Sequence, residues 1–326
     1  VAEKLEAFEV FMSKTNYCVL IFIIFLLASW ARGASFQKAW DQEEEKGFSS
    51  ADSSLLAGKH VIFIAGIMNE LTDFIHNYFP DNMKAVKQLG GTYSYIGPSS
   101  SRTIPENAKI LFEKINKIYI KIKKPLILIG HSKGGAESLY LLLEHPELII
   151  NGIVERTLLI QPAIGGSPMA DNASGILFSL STLLIAPNMR TLSTFESHVN
   201  FNKVFDDYNN NLKLLGKDLN RGENNLHEYI SSRIFYIRSR TKSNLSFGLK
   251  IVLTVMQDNA DRYCEDHDGL LSVDAQIDKR IGIDFEILED IDHIDLVIKI
   301  FSNLSSQKRE SFTRAAFKSM YIKASL

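Results

Sequence analysis

The sequence predicts an α/β fold: a mostly parallel central sheet, helices on both faces, and a lid-like insertion. Three observations lead there. Short aliphatic runs of strand length alternate with longer stretches of helical periodicity. One run, residues 126–129, passes into a helical pattern across the nearly loopless "GHSKGG" of residues 130–135. The alternation breaks between residues 171 and 222 and then resumes.

Residues 60–65, "HVIFIA", have the composition of a buried strand and end at Gly66. Residues 73–91 are helix-like, and "TYSYIG" from Thr92 is a second strand. Helical spacing follows through Ile110, Leu111, Ile115 and Ile118. After the strand at 126–129, Leu139, Leu142 and Leu143 mark the inward face of a helix, and 156–160 is the next strand. Such β-α-β alternation implies a parallel sheet whose ligands bind beyond the carboxyl ends of the strands, where Gly66, Ser132 and Gln161 lie. Residues 174–187, "SGILFSLSTLLIAP", form an apolar segment, and polar, Asn-rich sequence reaching Gly222 reads as a surface excursion. Strands resume near Ser232 and Gly282, and residues 294–326 read as a closing helix.

The chain has 326 residues, 45% of them hydrophobic, enough for one large α/β domain. The 36 basic and 38 acidic side chains are interspersed and leave a net charge of −2, which argues against a nucleic-acid partner bound by phosphate neutralisation. Residues 1–33 read as an N-terminal extension and signal peptide. Lys14 precedes an apolar run from Tyr17 to Leu27, and small residues follow near Ala31 and Gly33. That run is shorter than the roughly 20 residues of a membrane span, so a secreted or periplasmic protein is expected over an anchored one. The catalytic domain is expected over residues 50–326, with 171–222 as its lid-like insertion. Cys18 falls within the signal segment, which leaves Cys264 alone, without a disulfide or a Cys/His metal pattern.

The stretch 130–135 carries the chemistry. In a Gly-x-Ser-x-Gly elbow the serine occupies a sharp strand-to-helix turn, and the backbone N–H of the next residue points at the same reaction centre. Here these are Ser132 and the Lys133 amide. A serine nucleophile needs a base within hydrogen-bond reach and an acid to orient that base. Of the eight histidines, only His293, in "LEDIDHIDLV", follows the last strand. His60 begins a strand, His76 and His145 fall in helical patterns, and His198 and His227 lie in or beside the insertion. His131 is expected to pack away from the serine, and His267 abuts the acid candidates. Asp268, followed by Gly269 in a turn that would expose its carboxylate, is the favoured acid. Asp266, Asp258 and Asp261 remain alternatives.

Taken together, these stretches resemble the secreted bacterial triacylglycerol lipases of the α/β-hydrolase fold. The similarity rests on "AGI" at 65–67, "GHSKGG" at 130–135, "QPAIGGSPMAD" at 161–171, "DGLLS" at 268–272 and "DHIDLV" at 292–297, in family order. It implies Ser132 as nucleophile, Asp268 as acid, His293 as base, and the backbone N–H groups of Ile67 and Lys133 as the oxyanion hole. The family's usual histidine before the oxyanion glycine is replaced by Ala65, so the hydrogen bonds supporting that loop must differ. Some relatives hold calcium beside the base loop. Asp295 matches one ligand position without a second aspartate partner, so no metal and no cofactor is expected. The expected function is carboxylic-ester hydrolysis, foremost a lipase acting on lipid or apolar acyl esters, with lipid-surface contact through the lid. An acyltransferase with the same triad and a non-catalytic hydrolase-fold binding protein are the alternatives.

Overall fold

The computed structural model describes residues 35–67, 78–167, 170–171, 192–220, 222–241, 245–247, 249–250, 266–300 and 302–323. The signal segment, His76, Asp258, Asp261, Cys264 and the apolar run at 176–186 lie outside the described residues.

In chain order the elements are α1 (Phe36–Lys46), β1 (His60–Ile64), α2 (Pro80–Gln88), β2 (Thr92–Ile96), α3 (Ile104–Ile122), β3 (Leu126–His131), α4 (Lys133–Glu144), the short α5 (Glu147–Ile150), β4 (Val154–Ile160), α6 (Thr194–Asp218), α7 (Glu223–Ser231), β5 (Ile234–Arg240), β6 (Ile283–Glu289) and α8 (Ser306–Lys323). The strands form one sheet in the order β2-β1-β3-β4-β5-β6, and every neighbouring pair is parallel.

Alternation within each strand builds two cores. Ile62, Ile64 and Leu128 face one side, where they pack with Ala108, Leu111 and Ile115 of α3, Leu139 and Leu142 of α4, and Phe205 and Tyr208 of α6. Val61, Phe63, Ile127 and Ile129 face the other, with Trp40 of α1, Val86 of α2, and Phe312 and Ala316 of α8. Both faces are covered, so β1 and β3 are buried at every position and read as unbroken apolar runs. α3 starts at a capping box in which the Thr103 side chain accepts from the Glu106 N–H while Glu106 accepts from the Thr103 N–H.

A compact unit runs from Phe36, where α1 opens, and two expectations are corrected within it. α1 has only two large buried apolar side chains, Phe36 and Trp40, one turn apart in otherwise polar sequence. Phe36 stacks on Phe285 at 5.4 Å, and the Trp40 indole N–H donates to Ser311 Oγ at 3.0 Å. The supposed surface excursion before Gly222 is largely the 25-residue α6, which buries Phe201, Val204, Phe205, Tyr208 and Leu212 along one face. At the C-terminus, helix starts only at Ser306; the chain before it turns.

The five loops that matter chemically leave the same carboxyl edge of the sheet. They follow β1 at Ala65, β3 at Ser132, β4 at Gln161, β5 at Thr241 and β6 at Asp290.

Candidate active site

Close packing dictates the shape of the elbow. Ser132 sits at φ 54° and ψ −126°, between the last residue of β3 and the first of α4, a backbone region that costs a non-glycine residue energy. The surrounding glycines are needed for approach rather than for φ. A Cβ on Gly134 would lie 2.3 Å from the Ala65 carbonyl oxygen, and one on Gly130 2.7 Å from the Gly134 oxygen. One on Gly135 would lie 2.8 Å from Pro162 Cβ. α4 therefore starts jammed against the ends of β1 and β4, and Ser132 is left at the tip.

His293 and Asp268 reach this tip from loops after β6 and β5. His293 Nε2 lies 2.8 Å from Ser132 Oγ, and its Nδ1 lies 2.7 Å from Asp268 Oδ2. With Nδ1–H donating to the carboxylate, Nε2 is left to accept the serine hydroxyl. The backbone joins the same two loops, His293 N–H donating to the Asp268 carbonyl at 2.8 Å. Asp268 Oδ1 accepts from the N–H groups of Leu270 at 3.0 Å and Leu271 at 2.8 Å. Gly269, at φ 100°, permits that turn. The turn buries the Asp268 carboxylate completely instead of exposing it, which corrects the sequence expectation. Asp266, two residues earlier, points to solvent and pairs with Arg240 at 3.0 Å.

The base loop is fixed from several sides. Asp292 Oδ1 accepts from the Ile294 N–H at 3.0 Å, and Oδ2 from the Ser246 N–H at 2.6 Å. Burial and the neighbouring Asp295 carboxylate push Asp292 up to about 6. Gln161 Nε2 donates to the Asp292 carbonyl at 2.8 Å and also to Ser239 Oγ. Gln276 holds Ser239 in turn, accepting its N–H at 2.8 Å and donating to its carbonyl at 3.0 Å. No group of three or more His, Cys, Asp or Glu side chains suited to a metal ion occurs among the described residues.

On the β1 side, Gly66 presses against the elbow: a Cβ there would lie 2.8 Å from Ser132 Cβ. Ile67 follows it, half-buried, and Lys133 opens α4. The Lys133 side chain is buried and turns away from the serine to the loop after β2. It donates to the carbonyls of Ser100 at 3.0 Å and Arg102, with Glu137 at 3.7 Å.

The remaining described histidines do other work. His60 bonds Thr92 and Ser94, His145 stacks on Phe112, and His198 and His227 lie on α6 and α7. His145 caps α4 rather than lying within it. His267 Nδ1 accepts the Gly269 N–H at 3.0 Å and so supports the acid turn. His131 does more than pack. Its Nδ1 is 2.6 Å from Tyr78 Oη and its Nε2 is 2.8 Å from the His293 carbonyl oxygen. Burial and the adjacent His293 hold it well below the usual histidine range. Sequence reasoning missed Tyr78 and Gln276 because nothing local marks them. The one available signal was Ala65, which stands where the family resemblance leads one to expect a histidine.

A hydroxyl, an imidazole and a carboxylate in this line can pass the hydroxyl proton to the ring while the carboxylate stabilises the resulting cation, which makes the oxygen a nucleophile.

No family model matches the chain, and no curated protein matches it. Solved structures do. The metagenomic carboxyl esterase MGS0156 is 16% identical with a TM-score of 0.58, over 83% of this chain and 77% of that one. The mature form of the Bacillus licheniformis lipase BlEst2 is 17% identical with a TM-score of 0.50, over 73% of this chain and 85% of that one. At such identities the likeness speaks for architecture alone. Together with the parallel six-stranded sheet, it shows that this chain has the α/β-hydrolase fold.

Proposed function

We propose that the protein is a serine carboxylic-ester hydrolase of lipase type, acting on apolar acyl esters. The observation that carries this reading is the Ser132–His293–Asp268 line, with contacts of 2.8 Å and 2.7 Å at the tip of a strained elbow. Ser132 Oγ attacks the ester carbonyl while His293 Nε2 takes its proton. Asp268 holds the ring with Nδ1–H toward itself and balances the imidazolium. The backbone N–H groups of Ile67 and Lys133 receive the oxyanion, an effect worth about 3 kcal/mol per donor. His293 then gives its proton to the leaving alcohol, and water resolves the acyl-enzyme by the same route.

The fold by itself carries no activity. Esterase chemistry rests on the three side chains, and preference for apolar substrate rests on the sequence at 176–186, where Leu177, Phe178, Leu180, Leu183, Leu184 and Ile185 cluster. That run is proposed to cover or wall the site and to meet a lipid surface. Export rests on the sequence of residues 1–33.

The test uses p-nitrophenyl esters of graded chain length and a serine-reactive phosphonate. Turnover is expected, with covalent labelling at Ser132. Ser132→Ala and His293→Ala are each expected to lower turnover by on the order of 10⁴ or more without unfolding the protein. Absence of both turnover and labelling sinks the reading, whereas acyl transfer to added alcohol in preference to water redirects it to an acyltransferase. A jump in rate as substrate passes its solubility limit marks a cover that opens. Smooth saturation marks a fixed wall.

A further inference from the structure

Ala65 has only a methyl group where a supporting hydrogen-bonding side chain is expected, and the structure supplies a substitute from another part of the chain. Tyr78 stands just before α2, in a bridge with Ile298, and its hydroxyl enters the site from behind. It accepts the Gly66 N–H at 2.8 Å and lies 2.6 Å from His131 Nδ1. His131 Nε2 lies 2.8 Å from the His293 carbonyl oxygen. Tyr78 is 7% exposed and His131 2%, so the contacts are sheltered from water.

The proton placement follows from chemistry. A carbonyl oxygen can only accept, so the proton of His131 sits on Nε2 and donates to His293. Burial keeps the ring neutral, which leaves a lone pair on Nδ1. The Tyr78 O–H then donates to Nδ1 while its oxygen accepts from Gly66. Every group in the chain Gly66 N–H, Tyr78 OH, His131 ring, His293 C=O has a defined role.

We infer that Tyr78 and His131 are positioning residues that tie the oxyanion loop to the base loop across the back of Ser132. The inference rests on the proposed ester-hydrolase reading for its catalytic consequence. Gly66 directly precedes the Ile67 amide, and the His293 carbonyl belongs to the residue proposed as base. One hydrogen-bonded chain therefore sets the spacing of the two groups that must act together on the tetrahedral intermediate. In Tyr78→Phe the ring still fills its site, but the hydroxyl that accepts from the Gly66 N–H and donates to His131 is gone. The loops are then free to separate by a fraction of an ångström, enough to misalign a reacting geometry.

The experiment compares Tyr78→Phe with wild type on p-nitrophenyl butyrate, with active sites counted by a fluorescent phosphonate. Per titrated site, kcat is expected to fall about 10- to 100-fold with KM within about twofold, and inhibition by butylboronic acid, whose Ser132 adduct mimics the tetrahedral intermediate, to weaken by a similar factor. A merely structural role would lower the number of titratable sites and leave kcat per site unchanged, which overturns the inference. The double variant with His131→Gln is expected to lose little more than the worse single variant, because both break one chain; full additivity counts against it. Independently of any variant, ¹⁵N NMR of the wild-type protein at neutral pH is expected to show His131 as the Nε2–H tautomer. An Nδ1–H tautomer overturns the inference whether or not the variants fold. A wild-type protein that turns over no ester defeats the functional reading instead, and the tautomer still judges the network.

Discussion

Asp266 and Asp268 lie two residues apart in the same turn and have opposite fates. The Asp266 carboxylate is in solvent beside Arg240. Asp268 is sealed among two backbone N–H groups and the His293 ring. On the proposed mechanism, Asp268→Asn is expected to lower kcat by about 10³- to 10⁴-fold, because an amide no longer enforces the Nδ1–H tautomer of His293. Asp266→Asn is expected to keep full activity and to shift stability by no more than about 0.5 kcal/mol, the scale of an exposed ion pair. Assaying both variants decides the acid; full activity in Asp268→Asn would reject it. Asp292 behaves differently again. Its carboxyl rises from 3.8 to about 6 on folding, through burial first and the Asp295 charge second. The folded state thus holds the proton more tightly than the unfolded chain, so this group's contribution to stability is complete below pH ~4 and is lost as pH rises through about 6. Urea unfolding of wild type and Asp292→Asn from pH 4 to 7.5 checks the sign: wild type is expected to lose ground relative to the variant as pH rises. A constant difference would refute it. At this scale Ser132 and His293 were legible because they follow β3 and β6 closely, and Asp268 because Gly269 and the "DGLLS" stretch mark it. Tyr78 was not, because it meets His131 at a sequence separation of 53 and nothing in its own neighbourhood marks that contact.

At the scale of elements, the elbow shows how little tolerance there is behind the serine. Gly134 faces two backbone carbonyls, those of Ala65 at 2.3 Å and Ile64 at 2.6 Å from a virtual Cβ, and backbone cannot rotate aside as a side chain can. Gly134→Ala is expected to push α4 off the end of β1, to cost about 1–3 kcal/mol in urea unfolding, and to slow phosphonate labelling of Ser132. Unchanged labelling would show that the elbow relaxes without moving the nucleophile. α1 and α6 were the elements hardest to read. α1 is rich in Lys, Gln, Asp and Glu and α6 in Lys, Asn, Asp and Glu, and each buries only a few side chains, so composition argues for a loop. In α6 the spacing of Phe201, Val204, Phe205, Tyr208 and Leu212 was the usable signal. In α1 two aromatic residues were too few to establish a period.

At the scale of the whole molecule, the C-terminal helix braces the site from a distance. Arg309 of α8 is buried, donates to Asp81 of α2 at 2.8 Å, and also reaches Ser302 Oγ at 3.0 Å. Ser302 donates to Asp295 Oδ1 at 2.8 Å, which joins this helix to the base loop. Asp81→Ala strands a buried guanidinium and is expected to cost about 3–5 kcal/mol, read from the urea midpoint. A cost under about 1 kcal/mol would show that water reaches and solvates Arg309.

The sequence by itself determined the α/β alternation, the parallel sheet, the elbow and the order of Ser132, Asp268 and His293. Strand runs, helical periods and turn residues are local patterns, each written within a dozen or so residues. Only the tertiary structure decided that Asp268 is buried rather than exposed and that α1 and α6 complete the two cores. It alone brought the Tyr78 hydroxyl to the Gly66 N–H and the His131 ring. Those outcomes depend on contacts between residues far apart in the chain, where burial and hydrogen-bond satisfaction are settled by which surfaces meet, and no local pattern records that meeting.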